Sequence, residues 1–329
     1  MLTRSRLGYL NRISRRWYFA VIIASIFSGF VYGASRHGLF ACQPANAEGN
    51  QFTSYCHASA YGDYDHGAFW FGLEPRAVSN ASSADVLFLG NSRMQIGMST
   101  DVVRDWFDNR AVDFFLLGFT HGENQMFAEP LLQKLAPEAG VYIINVDGFF
   151  EEELKGPADD VINNPLSRNR YEQKQTWQAV HRNICNRMPA FCRNEVTYIR
   201  SMDTGAMQIL GNSPDAESAI IRPLLSGDYS IDQEQVEDSL LQARRFLRGL
   251  PGSPNCLILT NVPNSDTSAG TALALAEDLD LPIVAPHTED LATFDGSHLT
   301  HESALSWSMA FVELLGPALD QCHSRAARL

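Results

Sequence analysis

The stretch Asp85-Val86-Leu87-Phe88-Leu89-Gly90-Asn91-Ser92-Arg93-Met94 limits what this chain can fold into more than any other. Residues 86–89 form a short, wholly apolar run, the pattern of a buried strand. Gly90 and Asn91 end it with residues that tolerate tight-turn backbone angles. Ser92 then leads through Met94, Ile96 and Met98 into a helix expected over about 100–107. A serine just past the carboxyl end of a buried strand occupies the place where open α/β sheets hold their ligands. A turn serine that merely caps a helix gives the same local pattern.

The rest of the chain alternates in the same way. Strands are expected at 112–117, 141–150, 256–260 and 281–285. Helices are expected from about 125 through Leu135, and over 232–250, 271–279 and 302–315; in the second of these, Val236, Leu240, Ala243 and Leu247 share one face. This alternation predicts an α/β fold with a parallel sheet and helices on both faces. Residues 34–83 read as an irregular linker or cover, with 61–71 a short strand or a loop over the sheet edge. No chemistry is assigned to His57 or His66. Residues 151–229 read as an insertion, in which Trp177, Val180, Ile184 and Met188 have the spacing of a helical packing face. A second Gly-Asn-Ser triplet, Gly211-Asn212-Ser213, is followed by Pro214 and reads as a loop.

Near the other end, Phe294-Asp295-Gly296-Ser297-His298-Leu299-Thr300 places an Asp and a His three residues apart, before the last amphipathic helix. Gly90-Asn91-Ser92 and Asp295-Gly-Ser-His298, in this order, resemble the SGNH (GDSL-like) hydrolase superfamily over roughly residues 84–316. That family carries its nucleophilic serine in a Gly-Asp-Ser turn after the first strand and an Asp-x-x-His motif late in the chain. The resemblance implies a flavodoxin-like three-layer α/β fold. It implies Ser92 as nucleophile, His298 as base and Asp295 as its orienting partner. Oxyanion donors would be the backbone N–H groups of Ser92 and of Gly122 in Gly118-Phe119-Thr120-His121-Gly122, with His121 or Gly118 as alternatives to Gly122. The family's Gly-x-Asn-Asp after the third strand is absent; Asn145 lies within the strand and Asp147 would be an acceptor. In this the chain looks like membrane-anchored members such as the D-alanyl transfer protein and the alginate O-acetyltransferases.

The N-terminus carries Arg4, Arg6, Arg12, Arg15 and Arg16 before the uncharged, aromatic-flanked run 17–33. That run approaches the shortest length that spans a bilayer, and the arginines before it put the N-terminus in the cytoplasm. The domains expected are therefore a basic tail with a transmembrane anchor (1–33), the linker or cover (34–83), and the SGNH-like domain (84–329) with its insertion. A single-pass inner-membrane protein with a periplasmic or extracellular domain follows; a cleaved signal peptide is the rival reading of the same segment. With five of the 25 basic residues in the tail, the remainder carries 20 against 38 acidic, a balance of −18. So acidic a domain does not suggest nucleic acid as partner.

Six cysteines in an exported chain suggest disulfides. Sequence proximity suggests Cys42–Cys56 and Cys185–Cys192, leaving Cys256 with Cys322. There is no CxxC, GxGxxG, GxxxxGK[ST], HExxH or GxSxG, so no cofactor, nucleotide or metal is called for. Two functions are compatible with the sequence. One is a serine-type acyl-ester hydrolase or O-acyltransferase acting on an acylated envelope glycan, with a membrane acyl-donor protein as a possible partner. The other is a non-catalytic SGNH-like module that binds a glycan or a partner.

Overall fold

The computed structural model describes residues 17–30, 32–33, 41–42, 49–58, 61–121, 123–154, 156–188, 192, 196–210, 222–224, 229–252 and 254–326. In chain order these form helix α1 (17–30), strands β1 (Gln51–Cys56) and β2 (Gly62–Asp63), helices α2 (Asp65–Trp70) and α3 (Pro75–Ser83), and strand β3 (Val86–Asn91). Then come α4 (Ser92–Gly97), α5 (Thr100–Asp108), β4 (Phe114–Phe119), α6 (Gln125–Leu135), β5 (Val141–Asn145), α7 (Gly156–Asn163) and α8 (Ser167–Arg187). The chain continues through β6 (Thr197–Ser201), β7 (Met207–Leu210), β8 (Arg222–Pro223), α9 (Gln233–Gly249), β9 (Cys256–Thr260), α10 (Ala269–Leu279), β10 (Ile283–Val284), β11 (Ala292–Thr293) and α11 (His301–Ala326).

The α/β architecture with a parallel sheet flanked by helices is as the sequence pattern predicts. Five strands lie in the order β10-β9-β5-β3-β4, every neighbouring pair parallel. Alternation along β3 divides the core. Val86 and Phe88 pack with Val103 and Phe107 of α5 and Trp307, Phe311 and Leu315 of α11. Leu87 and Leu89 face the opposite layer, with Ala77 and Ala81 of α3, Phe127 and Leu131 of α6, Phe246 of α9 and Leu275 of α10. All six residues of β3 are buried, which fits an apolar run at the centre of a covered sheet.

Several boundaries differ from the sequence reading. β4 begins at Phe114 rather than at 112, and β5 stops at Asn145, because the chain turns over 147–150 with Gly148 at φ +61°. Residues 65–70, expected as strand or loop, are helical. Helix α8 buries Tyr171, Gln178, His181 and Cys185, whereas Val180 and Met188 of the expected packing face are exposed. The buried face is partly polar because Gln178 completes backbone bonding on β1: its Oε1 accepts from Thr53 N (2.9 Å) and its Nε2 donates to Thr53 O (3.0 Å).

A second, antiparallel sheet, β2-β1-β6-β7, joins strands from within 34–83 to strands from within 151–229. It closes the open edge of the main sheet at β4. Thr204 O accepts from Leu116 N (2.8 Å), and Arg200 of β6 donates to Leu116 O and Gly118 O (2.5 and 3.0 Å). Arg200 is fully buried against Asp65, 2.5 Å away. Gly205 makes this approach possible: at φ +70°, an added Cβ would stand 2.3 Å from Leu116 O. An unpaired strand edge is thereby covered by the protein itself.

The three disulfides are Cys42–Cys56, Cys185–Cys192 and Cys256–Cys322, the pairing that sequence proximity suggested. The expected membrane-spanning helix over 17–33 is not found. Among the described residues no helix is long and apolar enough to cross a membrane. Residues 211–213, the second Gly-Asn-Ser, lie outside the described residues.

Candidate active site

β3 is the strand at which the sheet changes direction. The chain leaves it for β4 on one side, then returns to β5 on the other. In open α/β sheets the crevice beyond the strand ends at such a point is the usual ligand site. Ser92 is placed there, as the first residue of α4. Asn91 caps this helix, its Oδ1 accepting from Arg93 N (2.9 Å), while its Nδ2 donates to Asp147 O (3.0 Å) beyond β5. Gly90 lets β3 and β5 approach closely here, since a Cβ would lie 3.0 Å from that of Asn145.

Asp295 and His298 come from the loop between β11 and α11. Asp295 Oδ1 accepts from the backbone N–H groups of Ser297 (2.8 Å) and His298 (2.7 Å), which fixes the turn. The other carboxylate oxygen, Oδ2, lies 2.7 Å from His298 Nδ1, and His298 Nε2 lies 2.9 Å from Ser92 Oγ. The loop is tied at its base by a Thr293–Leu299 bridge and by β8 pairing with β11. Burial alone would raise the Asp295 carboxyl, but the hydrogen bond and charge of His298 and the two backbone donors hold it at about 2. Asp295 is therefore ionised, acceptor-only, and able to keep a proton on His298 Nδ1. That leaves Nε2 as an acceptor toward the Ser92 hydroxyl. Ser92, more than 200 positions away in sequence, thus joins Asp295 and His298 in one connected chain of hydrogen bonds.

Gly122, expected as the second oxyanion donor, lies outside the described residues. Its neighbour His121 lines the same cavity as Ser92 and His298 and holds φ +65°. Burial pushes the His121 imidazole down. Its ring stands edge-on to Tyr55 of β1, with centroids 5.6 Å apart. Behind it, His66 is fully buried, its Nδ1 2.9 Å from Asp63 and its Nε2 3.7 Å from Glu123. Burial would lower the His66 imidazole, but the two carboxylates raise it to about 10.

Asn145 is not in the cavity. It is fully buried at the end of β5, and its Oδ1 accepts from Val262 N (3.0 Å). Asp147 is an acceptor, as the sequence reading had it, and its partner is Arg93. Arg93 Nη1 donates to both Asp147 oxygens (2.8 and 2.7 Å), Nε donates to Ser297 Oγ (2.7 Å), and Nη2 donates to Asp266. The Arg93–Asp147 pair was missed from sequence. The signal was a charged residue directly after the turn serine together with a lone Asp just past a buried strand.

The cavity around Ser92 measures about 630 Å³. Its described walls are polar or glycine: none is an aliphatic or a Phe, Tyr, Trp or Met side chain. A neighbouring cavity of about 830 Å³ shares Gly148, Glu151, Gln235 and Asp266 as walls, so the two lie side by side along the carboxyl edge of the sheet.

No family model matches the chain, and no curated protein matches it in sequence. Among solved structures, the crystal structure of a candidate acylhydrolase from Bacteroides fragilis is similar over 77% of this chain and 97% of that chain, at 13% identity and a TM-score of 0.32.

Proposed function

We propose that this chain is a serine-type acyl-transferring enzyme, an ester hydrolase or O-acyltransferase that moves a small acyl group on or off a cell-envelope glycan. The observation that carries this reading is the unbroken contact series Ser92 Oγ to His298 Nε2 (2.9 Å) and His298 Nδ1 to Asp295 Oδ2 (2.7 Å) at the switch point of the sheet. A serine hydroxyl needs such a base to act as nucleophile.

Ser92 Oγ attacks the acyl carbonyl and its proton passes to His298 Nε2. The carbonyl electron pair moves onto oxygen, which the backbone N–H group of Ser92 receives. Collapse of the adduct breaks the ester bond, and the leaving alcohol takes the proton from His298. Water or a sugar hydroxyl then attacks the acyl-serine, giving its proton to His298, and Ser92 Oγ recovers it on release. Water as acceptor makes an esterase, a sugar a transferase.

The Ser92 cavity is lined by polar side chains and glycine, which supports a short acyl group such as acetyl, because a long acyl chain would find no aliphatic side chain there to pack against. The second cavity alongside supports an extended polar acceptor. Three disulfides support an oxidising compartment.

The purified chain treated with a serine-directed fluorophosphonate and assayed on acetyl esters tests this. Wild type should be labelled and turn over. Ser92→Ala and His298→Ala should each abolish both, with the double variant little worse, because the two act as a unit. An unlabelled, inactive wild type would leave the binding module as the better reading.

A further inference from the structure

We infer that Arg93 is a positioning residue that sets the distance between Ser92 and His298, an inference that rests on the reading of Ser92 as nucleophile. The contacts form a closed ring. Ser92 is bonded covalently to Arg93; Arg93 Nε holds Ser297 Oγ at 2.7 Å; Ser297 is bonded covalently to His298; and His298 Nε2 returns to Ser92 Oγ at 2.9 Å. His298 cannot swing away from Ser92 without stretching the Arg93–Ser297 bond or twisting the turn that Asp295 Oδ1 fixes.

Arg93 is itself held from two further sides. Asp147, whose side chain is 1% exposed, receives Nη1 on both oxygens, and Asp266 receives Nη2. Asn91, on the other side of Ser92, donates to the carbonyl of the same Asp147. The nucleophile is thus bracketed by two residues anchored on one point beyond β5. Each guanidinium nitrogen already meets a protein oxygen, so Arg93 acts through the loop and not by holding substrate. Lysine could not replace it: a single ammonium on a flexible stem cannot meet three acceptors at the fixed angles of a planar guanidinium.

The test compares Arg93→Lys and Ser297→Ala with wild type in the intact chain. Fluorophosphonate labelling rate, kcat and KM on an acetyl ester, and thermal midpoint are measured. Misplacement of reacting groups by about an ångström costs on the order of 100-fold. Arg93→Lys should therefore lose about 100-fold in labelling rate and kcat with KM unchanged. Ser297→Ala, which removes only the one hydroxyl, should lose about tenfold at a wild-type thermal midpoint. The double variant should be no slower than Arg93→Lys, because both changes break the same contact. Labelling of both single variants at the wild-type rate, or losses that multiply in the double variant, would overturn the inference while Ser92 remained the nucleophile. Should Arg93→Lys fail to fold, Ser297→Ala decides alone. A wild type that neither labels nor turns over would remove the reading of Ser92 itself, and this inference with it.

Discussion

Asp295→Asn is the sharpest probe of the proposed chemistry, because it changes the proton arrangement and little else. Asparagine can keep its Oδ1 on the backbone N–H groups of Ser297 and His298, where the aspartate now accepts at 2.8 and 2.7 Å. Its amide nitrogen would then face His298 Nδ1, in place of the oxygen 2.7 Å away. Two donors cannot share a hydrogen bond, so Nδ1 must become the acceptor and the ring proton must move to Nε2. There it would point at Ser92 Oγ, and the imidazole could no longer take the serine proton. Lost charge adds to this: a carboxylate about 4 Å from a forming imidazolium contributes about 1 kcal/mol in water and about 4 kcal/mol near a protein surface. The Asp295 side chain is 37% exposed, so solvent holds that term toward the lower value. The tautomer term dominates, and triads of this arrangement lose about 10⁴ in kcat on this change, or about 5.5 kcal/mol of barrier. The expected result is therefore a loss of about 10³ to 10⁴ in kcat on an acetyl ester, a parallel loss in fluorophosphonate labelling, and a small fall in thermal midpoint from the lost carboxylate contacts. Because the wild-type carboxyl is held at about 2, no change in activity between pH 4 and 8 can be assigned to its protonation. An Asp295→Asn enzyme within tenfold of wild type, correctly folded, would refute the reasoning.

Two further outcomes concern stability. Cys256 at the start of β9 is joined to Cys322 in α11 across 66 residues, a closure worth about 4 kcal/mol on the chain-entropy account; a Cys256→Ala/Cys322→Ala double variant should lose stability of that order in denaturant titration, and a loss under about 1 kcal/mol would count against it. His66 is raised above its ordinary value of 6.5 to about 10 between Asp63 and Glu123, with Tyr171 also bonded to Asp63 and Lys174 donating to the Asp63 carbonyl. A raised folded-state value means its stabilisation is complete below about pH 6.5 and is lost as pH rises toward 10. Urea unfolding from pH 6 to 10 should show wild type converging on His66→Gln, whereas parallel curves would exclude that charge as a stabilising group.

What the sequence made legible follows from how locally each feature is encoded. β3 could be read because four consecutive apolar residues between Asp85 and the Gly90-Asn91 turn have few alternatives, and both its faces turned out to be covered. The disulfides could be read because two of the three join cysteines 14 and 7 residues apart, which leaves the third by elimination. The second sheet could not. β1 and β6 pair across some 140 residues, with Tyr55 opposite Tyr198, and nothing in either stretch names the other. The buried face of α8 escaped notice for a different reason. Its central residue is Gln178, inside because it satisfies the backbone of β1, and a search for apolar spacing passes over such a residue.

The site divides along the same line. Ser92, Asp295 and His298 stand in two short motifs whose residue types announce their chemistry, and the fold brings them within hydrogen-bonding distance. What holds them there is long-range and polar: Arg93 reaches Asp147, Asp266 and Ser297, which lie 54, 173 and 204 residues away. An arginine beside a turn serine is an unremarkable surface residue until the ends of β5 and β9 are known to converge on it. The absence of an asparagine donor after β5, which in sequence set the chain apart from the family's usual motif, has a structural counterpart. At that place Asp147 is an acceptor that anchors both residues flanking Ser92, so the position serves to align Ser92. Oxyanion stabilisation would then fall on backbone donors, and the cost of misplacing Ser92 would be correspondingly high, which is why Arg93 and Ser297 are the residues to perturb.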